Sequence, residues 1–304
     1  MSWILILEQS LNGLQFGLML FLLAAGLTLV FGIMDMINLA HGSLYMLGAF
    51  IASTLVQATG SFVAGVLLAI PATAILGMLL EIAVLRTLYA RDHLSQVLAT
   101  FALILIINEL TRLAWGPDAA LPMPQALSGP VELLPGLRYP AYRLVIIAVG
   151  ILVALLLFIL VAKTRVGMLV RAGASNREMA LAMGVDIKTL FTLVFGAGAA
   201  LCAVAGAMLA PLFAVQVGMG ENILILAFVV IVIGGIGSIR GALVGAVIVG
   251  VVDTLGRAFL KPLLGTMIQP TAAEAAGPAL ASMLIYLLMA VVLAVKPAGL
   301  FANR

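Results

Sequence analysis

The sequence predicts an all-α, polytopic membrane helical bundle of about nine spans with broken helices. Three observations lead there. Mean hydropathy is +1.29, with 64% hydrophobic and 9% charged residues, a balance outside the range of soluble domains. Apolar runs recur from end to end with short gaps between them. Lysine and arginine gather mostly in those gaps, so the net charge of +3 records orientation in a membrane rather than affinity for nucleic acid. The length would suit two soluble domains, but the unbroken recurrence of apolar runs points to one helical domain over 1–304, with a polar loop at 163–190 inside it.

In order, the candidate spans lie at residues 11–33, 44–57, 62–85, 94–115, 144–162, 189–210, 223–236, 242–260 and 279–295. A helix needs roughly 17 to 25 mainly apolar residues to cross the hydrocarbon core. The second and seventh fall short of that, and each adjoins a polar break containing glycine. Transporters expose unwound backbone at membrane depth in such interrupted spans, where it lines a cavity instead of meeting lipid. Residues 1–10 lack a basic segment and the run from Leu11 is long enough to span, so no cleavable signal peptide is expected.

Orientation follows from the basic residues. If the 163–190 loop faces the cytoplasm, alternation puts Arg86, Arg91, Arg240, Lys296 and Arg304 on the same side, which then carries most of the positive charge. An odd span count sets the N-terminus outside. The opposite face carries the loops 116–142 and 261–278, and six prolines from Pro117 to Pro140 stiffen the first. These loops read either as a rim for an external partner or as connectors.

Several chemistries are excluded. Cys202 is the only cysteine and lies in an apolar run, and His41 and His93 are far apart, so there is no disulfide framework, no metal site and no catalytic set to assign. No G-x-x-x-x-G-K-[ST] phosphate loop occurs, so the chain is not itself a nucleotide-binding engine of that kind. Glycines at four-residue spacing, Gly13 with Gly17 and Gly237 with Gly241 and Gly245, predict close helix packing in a bundle or dimer.

Polar residues inside the spans mark two breaks. The first, GIMDMINLAHGSLYMLGA, holds Asp35, Asn38, His41, Gly42 and Ser43, and the second, GGIGSIRGALVGA, holds Gly235, Gly237 and Ser238. Each leads into a small-residue helix, a spacing that suggests a pseudo-repeat. Asn38, His41, Ser43 and Ser238 are candidates to hydrogen-bond a polar solute crossing there. The plainer reading is that Asn38 and His41 cap helix ends or satisfy backbone freed by the break. Asp253 with Arg257, and Glu109 with Arg112, have the spacing of internal ion pairs, while Glu81 lies near a span end within reach of interfacial water or basic neighbours.

The loop 163–190 is the longest polar interruption. Ser175 and Glu178 form a capping-box pattern that predicts a short helix from about Asn176, Gly184 is placed to end it, and Asp186 to cap the next span. Met179, Ala180 and Met183 fall on one face at helical spacing, flanked by Arg171, Arg177 and Lys188. Such a ridge suits docking into a partner's groove, and equally suits lying on lipid.

The pattern Asn38, Ala40, His41, Gly42, Met46, Gly48, Ala49 resembles the N-x-A-H-G-x-x-x-M-x-G-A motif of the permease subunits of branched-chain amino-acid ABC importers. The pattern Gly234, Gly235, Gly237, Ser238, Gly241, Ala242, Gly245 is similar to that family's second Gly-rich motif, and the order of both around the 171–184 loop also matches. The resemblance covers nearly the whole chain. It implies a type II-like importer permease in the bacterial inner membrane, importing branched-chain or other small apolar amino acids. It further implies a second permease chain, a periplasmic solute-binding protein, and two cytoplasmic ATPase subunits that hold the ATP and Mg, with no cofactor in this chain. Coupling to the ATPase then falls to Arg171, Ser175, Arg177, Glu178, Met179, Ala180, Met183 and Gly184.

Relatives with nearly this motif set carry urea, short amides or aromatic acids, and Asp35 leaves those solutes open. Two other classes stay open on the residues alone. An ion-coupled secondary transporter would need a titratable relay. An intramembrane enzyme would need a convergent nucleophile and base, for which His41 with Asp35 is the nearest pair and lacks a third group.

Overall fold

The computed structural model describes residues 3–266 and 269–301. In chain order the elements are α1 (Trp3–Met34), α2 (His41–Thr59), α3 (Phe62–Ala83), a 3-10 turn (Leu85–Leu88), α4 (His93–Trp115), β1 (Asp118–Ala119), β2 (Pro130–Leu134), β3 (Leu137–Pro140), α5 (Ala141–Lys163), α6 (Arg165–Ser175) and α7 (Arg177–Ala182). They continue with α8 (Ile187–Leu209), β4 (Val215–Gln216), α9 (Met219–Gly234), α10 (Ile239–Gly265) and α11 (Pro270–Val295). Among the described residues eight helices are long and apolar enough to cross a membrane, and α9 is a shorter apolar helix of 16 residues. Each of the nine expected spans therefore has its helix, and the chain is a multi-pass helical membrane protein.

The boundaries differ from expectation where polar residues sit inside helices. α1 starts at Trp3, before the run that begins at Leu11, and its 32 residues make it about 48 Å long. The loop expected at 261–278 is mostly helix, because α10 continues through Lys261 and Pro262 to Gly265 and α11 already begins at Pro270 with Pro278 inside it. Lys261 is held there by Glu274 at 3.2 Å. The proline-rich 116–142 segment contains strands: β2 and β3 form a hairpin that turns at Pro135-Gly136, with Gly136 at φ +87°, the order of residues a type II turn requires. β1 pairs antiparallel with β4. Arg304 lies outside the described residues.

The chain divides into two compact units. One comprises Leu22–Pro124 and Leu152–Ala227, and the other Met1–Phe21, Gln125–Ile151 and Phe228–Arg304. In the first unit α2, α3 and α8 pack on one another. Their contacts are close because small residues meet backbone: a Cβ on Gly48 would fall 2.5 Å from the Ala203 Cα, one on Gly206 2.2 Å from the Tyr45 carbonyl oxygen, and one on Gly65 2.5 Å from the Val56 nitrogen. Lipid is as apolar as leucine, so association of these helices relies on dispersion and close fit, which any larger side chain would interrupt. Around these contacts Met46, Phe50, Val56, Val66 and Ile107 form a continuous apolar core. The C-terminal half of α2 is tied to the loop beyond α4 by the Ser53 hydroxyl, which donates to the Ala120 carbonyl at 2.7 Å, and to the end of α4 by the Trp115 indole N–H donating to Thr54.

In the second unit the N-terminal part of α1 packs along α10. A Cβ on Gly13 would lie 2.6 Å from the Val251 Cα, one on Gly17 2.6 Å from the Ala246 carbonyl oxygen, and one on Gly250 2.4 Å from the Gly13 carbonyl oxygen. The expected role of the Gly13 and Gly17 pair is thus realised, with α10 as the partner. Asn12 on the same helix accepts hydrogen bonds from the Tyr139 hydroxyl at 3.0 Å and from Arg143, which places the hairpin and the start of α1 at the same end of this unit.

A side chain at Gly17 forces α1 off α10. Gly17→Val is expected to lower stability by about 1–3 kcal/mol, seen as a lower thermal midpoint in detergent, whereas Gly129→Ala, where an added Cβ meets nothing within 4 Å, leaves the midpoint unchanged.

Candidate functional site

The first break is a re-entrant segment. α1 ends where Asp35 takes a left-handed conformation at φ +50°, with its N–H on the Phe31 carbonyl, a geometry that Asp tolerates better than most residues. Residues 35–40 then run back along the end of α1, so that α2 starts at His41 beside Gly26, about 12 Å short of the end of α1 at Met34. On α8 the neighbours of His41 are Gly198 and Cys202, near the middle of that helix. Unwound backbone therefore sits at mid-span, and local groups satisfy part of it. The Asn38 Oδ1 accepts from the Ala40 N–H at 3.1 Å, and the Thr100 hydroxyl of α4 accepts from the Leu39 N–H at 3.3 Å.

His41 occupies a slot made by glycine. Its ring is fully buried, a Cβ on Gly26 would lie 2.8 Å from Nε2, and one on Gly198 would lie 3.1 Å from Cε1. Nε2 lies 3.2 Å from the Cys202 Sγ, and the Phe195 ring stands edge-on at 6.3 Å. Nδ1 of His41 and Nδ2 of Asn38 are buried and make no hydrogen bond within the chain. Gly42 meets the start of α9, where a Cβ would fall 2.4 Å from the Gly220 carbonyl oxygen, and Ser43 is buried behind it. The partnership of His41 with Cys202 has no local signature, because 161 residues separate them.

The second break, in the other unit, is built differently. α9 ends at Gly234, Gly235 and Gly237 take φ of +104° and +80°, and the Ser238 hydroxyl caps α10 by accepting from the Gly241 N–H at 3.1 Å. α10 folds straight back on α9: a Cβ on Gly241 would lie 2.1 Å from the Gly234 carbonyl oxygen, and one on Gly245 2.7 Å from that of Val230. Carbonyls freed at the end of α9 accept from the C-terminal segment, Ile233 from the Leu300 N–H and Gly234 from the Phe301 N–H, both at 2.9 Å. The similar spacing of the two motifs thus gives a re-entrant stretch in one case and a capped helical hairpin in the other.

The polar segment 163–190 holds two short helices. Thr164 caps α6, its oxygen accepting from the Gly167 N–H, and Arg171 reaches back to the Val161 carbonyl. The expected helix start is displaced by one residue. Ser175 is the last residue of α6, and Asn176 caps α7 by accepting from the Met179 N–H at 2.9 Å, leaving Glu178 in the first turn. Asn is as good a cap as Ser, and here the extended backbone falls on Asn176. Gly184, at φ +84°, ends α7 as expected, its N–H on the Leu181 carbonyl and that of Val185 on Ala180, the paired bonds of a Schellman stop. Asp186 caps α8, accepting from the Lys188 and Thr189 N–H groups, and the Thr189 hydroxyl beside it holds its carboxyl below the usual range. The ridge is narrower than expected: Met179 and Met183 are 60% and 78% exposed, but Ala180 is buried and packs inward. Leu181, Val166 and Met168 are exposed as well, and Arg177 lies over the Phe191 ring at 4.9 Å.

Several acidic side chains inside the helices have basic partners. Arg257 donates to Asp253 at 2.8 Å and Arg112 approaches Glu109 at 3.5 Å, as the spacings required. Glu81 is fully buried and ringed by Arg86, Tyr89 and Thr192, so its neighbours are protein groups and not interfacial water. Asn108 donates to Glu221 at the start of α9, a pair not visible in sequence. Among the described residues no three His, Cys, Asp or Glu side chains gather to hold a metal.

The chain is 30% identical over 263 residues to the high-affinity branched-chain amino acid transport system permease protein BraD of Pseudomonas aeruginosa, covering 82% of this chain and 86% of that one. It is 29% identical over 269 residues to the corresponding LivH protein of Escherichia coli K12, covering 84% and 87%. A probable branched-chain amino acid transport permease protein LivH of Methanocaldococcus jannaschii is 28% identical over 258 residues, covering 82% and 80%. No solved structure matches the chain significantly. The family model for the permease component of branched-chain amino acid transport systems matches residues 9–293, and this chain, a membrane-embedded permease subunit, belongs to that family.

Proposed function

We propose that the chain forms the translocation pathway of an ATP-driven importer for branched-chain or other small apolar amino acids in a bacterial inner membrane. It works beside a second permease chain, two cytoplasmic ATPase subunits that bind ATP with Mg, and a periplasmic solute-binding protein. The names carried by the relatives support the solute class. What supports the energy source is α7: a helix fixed at both ends by caps, presenting Met179 and Met183 bare between basic flanks at Arg171, Arg177 and Lys188. Two exposed methionines on a clamped helix are a docking surface for an apolar groove. In this reading α7 seats in the ATPase, and closure of the ATPase pair upon ATP binding pushes on the segment between α5 and α8. Alternating access then follows from rocking of helices across their glycine contacts.

Within each unit the break is the part proposed to meet the solute: Asn38, His41, Gly42 and Ser43 in one, and Gly235, Gly237 and Ser238 in the other. The support for the first is that Asn38 Nδ2 and His41 Nδ1 have no partner within the chain, although an unsatisfied buried group is costly. Groups left open at a helix break are poised for a passing solute or the water around it.

Two experiments test these roles. Replacing both Met179 and Met183 with Asp puts charge into the docking surface, and is expected to cut uptake per ATP hydrolysed by at least about tenfold with membrane insertion unchanged. Normal uptake by that double variant removes the coupling role. Asn38→Ala is expected to raise the KM for leucine uptake by about two- to tenfold, the worth of one hydrogen bond. A fall in thermal midpoint with KM unchanged assigns Asn38 to structure alone.

A further inference from the structure

The buried carboxylate of Glu81 has no part in the scheme above, and it carries more interactions than any other acid in its unit. It lies near the end of α3 with its side chain fully buried. Arg86 donates to it twice, from Nε to Oε1 at 3.3 Å and from Nη2 to Oε2 at 3.2 Å. The Tyr89 hydroxyl donates to Oε1 and the Thr192 hydroxyl of α8 to Oε2, each at 2.6 Å, while Arg86 Nη2 also donates to Thr192 at 2.7 Å. Burial and the bond to Glu81 push the Tyr89 hydroxyl above its ordinary pKa, so it stays protonated and donating.

An ion pair between a buried carboxylate and a partly exposed arginine gives little net stability compared with apolar packing, but it fixes one arrangement sharply, because displacing a partner leaves the Glu81 charge unsatisfied. The cluster also has an outward connection. The Tyr89 ring meets the buried Phe191 ring edge to face, 5.3 Å between centroids and 86° between planes. On Phe191 rests the guanidinium of Arg177, the first residue of α7. Arg177, Phe191, Tyr89 and Glu81 therefore form an unbroken line of directional contacts from α7 to α3, and α3 packs on both α2, which begins at the first break, and α8.

We propose that this line is a strut that transmits displacement of α7 to α3 and α2, with Phe191 as its joint and Glu81 as its anchor. The residues are positioning residues: none need touch the solute. The proposal rests on the reading of α7 as the docking helix. Stacked and hydrogen-bonded contacts suit the task because they resist sliding, whereas the small-residue contacts of α2 with α8, Gly48 on Ala203 and Gly206 on Tyr45, permit it.

The test uses the whole importer in proteoliposomes, with leucine uptake and ATP hydrolysis measured on the same vesicles. Phe191→Leu, which keeps an apolar side chain but loses both ring contacts, and Tyr89→Phe, which loses only the hydroxyl, are each expected to lower leucine imported per ATP by at least about threefold. Because the residues act in series, Arg177→Gln combined with Tyr89→Phe is expected to be no worse than the more severe single change. An unchanged ratio in Tyr89→Phe and Phe191→Leu, or losses that multiply in the double variant, overturns the strut. Should Phe191→Leu fail to assemble with the ATPase, Tyr89→Phe alone decides by the same ratio. If the Met179 and Met183 double variant retains coupling, the docking reading itself falls. If that variant uncouples while the strut variants do not, only the strut falls.

Discussion

Helix backbones in this protein approach to distances at which no Cβ fits, and the rest of the architecture depends on that. In one unit Gly42 faces Gly220, Gly48 faces Ala203 and Gly206 faces Tyr45, while in the other Gly13, Gly17 and Gly250 interlock and Gly241 abuts Gly234. A hydrocarbon solvent offers no reward for hiding leucine from it, so large apolar side chains are free to point outward, as Leu67, Leu98, Leu105 and Ile151 do. Cohesion comes instead from dispersion between closely fitted surfaces. Such contacts are tight and smooth at once, which suits helices that have to shift against one another without separating.

Two polar features at membrane depth show how such groups are accommodated. The re-entrant stretch after α1 is tolerated because Asn38 and Thr100 satisfy some of its backbone, and because the His41 ring fills the notch left by Gly26 and Gly198. The carboxylate of Glu81 is tolerated because its oxygens accept from three side chains. These are two different solutions to one problem. At the break, chain polarity is partly left open, whereas at the end of α3 it is closed completely.

Much of this was legible in the residues, wherever the deciding interaction is local. Nine apolar runs became nine helices, Gly184 and Asp186 stopped and started helices as their chemistry demands, and the spacings of Asp253 with Arg257 and Glu109 with Arg112 gave the ion pairs. Failure came where two neighbours were equally suited, as with Ser175 and Asn176. It came again where polar residues lie in helix continuing beyond a span, as in the first turns of α1, in α6 and in the end of α10. Ala180 leaves the outer ridge because it stands about 100° round the helix from Met179, whereas Met179 and Met183 are only about 40° apart. The contacts of His41 with Cys202, Asn108 with Glu221 and Glu81 with Thr192 join residues more than a hundred positions apart, and no local pattern announces them.

The pairing of Leu300 and Phe301 with the last carbonyls of α9 makes the far end of the chain a splint for an internal turn. Gly299 has to lie flat against Gly235 for that splint to form, a Cβ there falling 2.6 Å from the Gly235 Cα. Protein engineering at this end is therefore constrained to begin past Phe301: an affinity handle joined at Lys296 strips two donors from an already unwound corner, while one added beyond the splint leaves it whole.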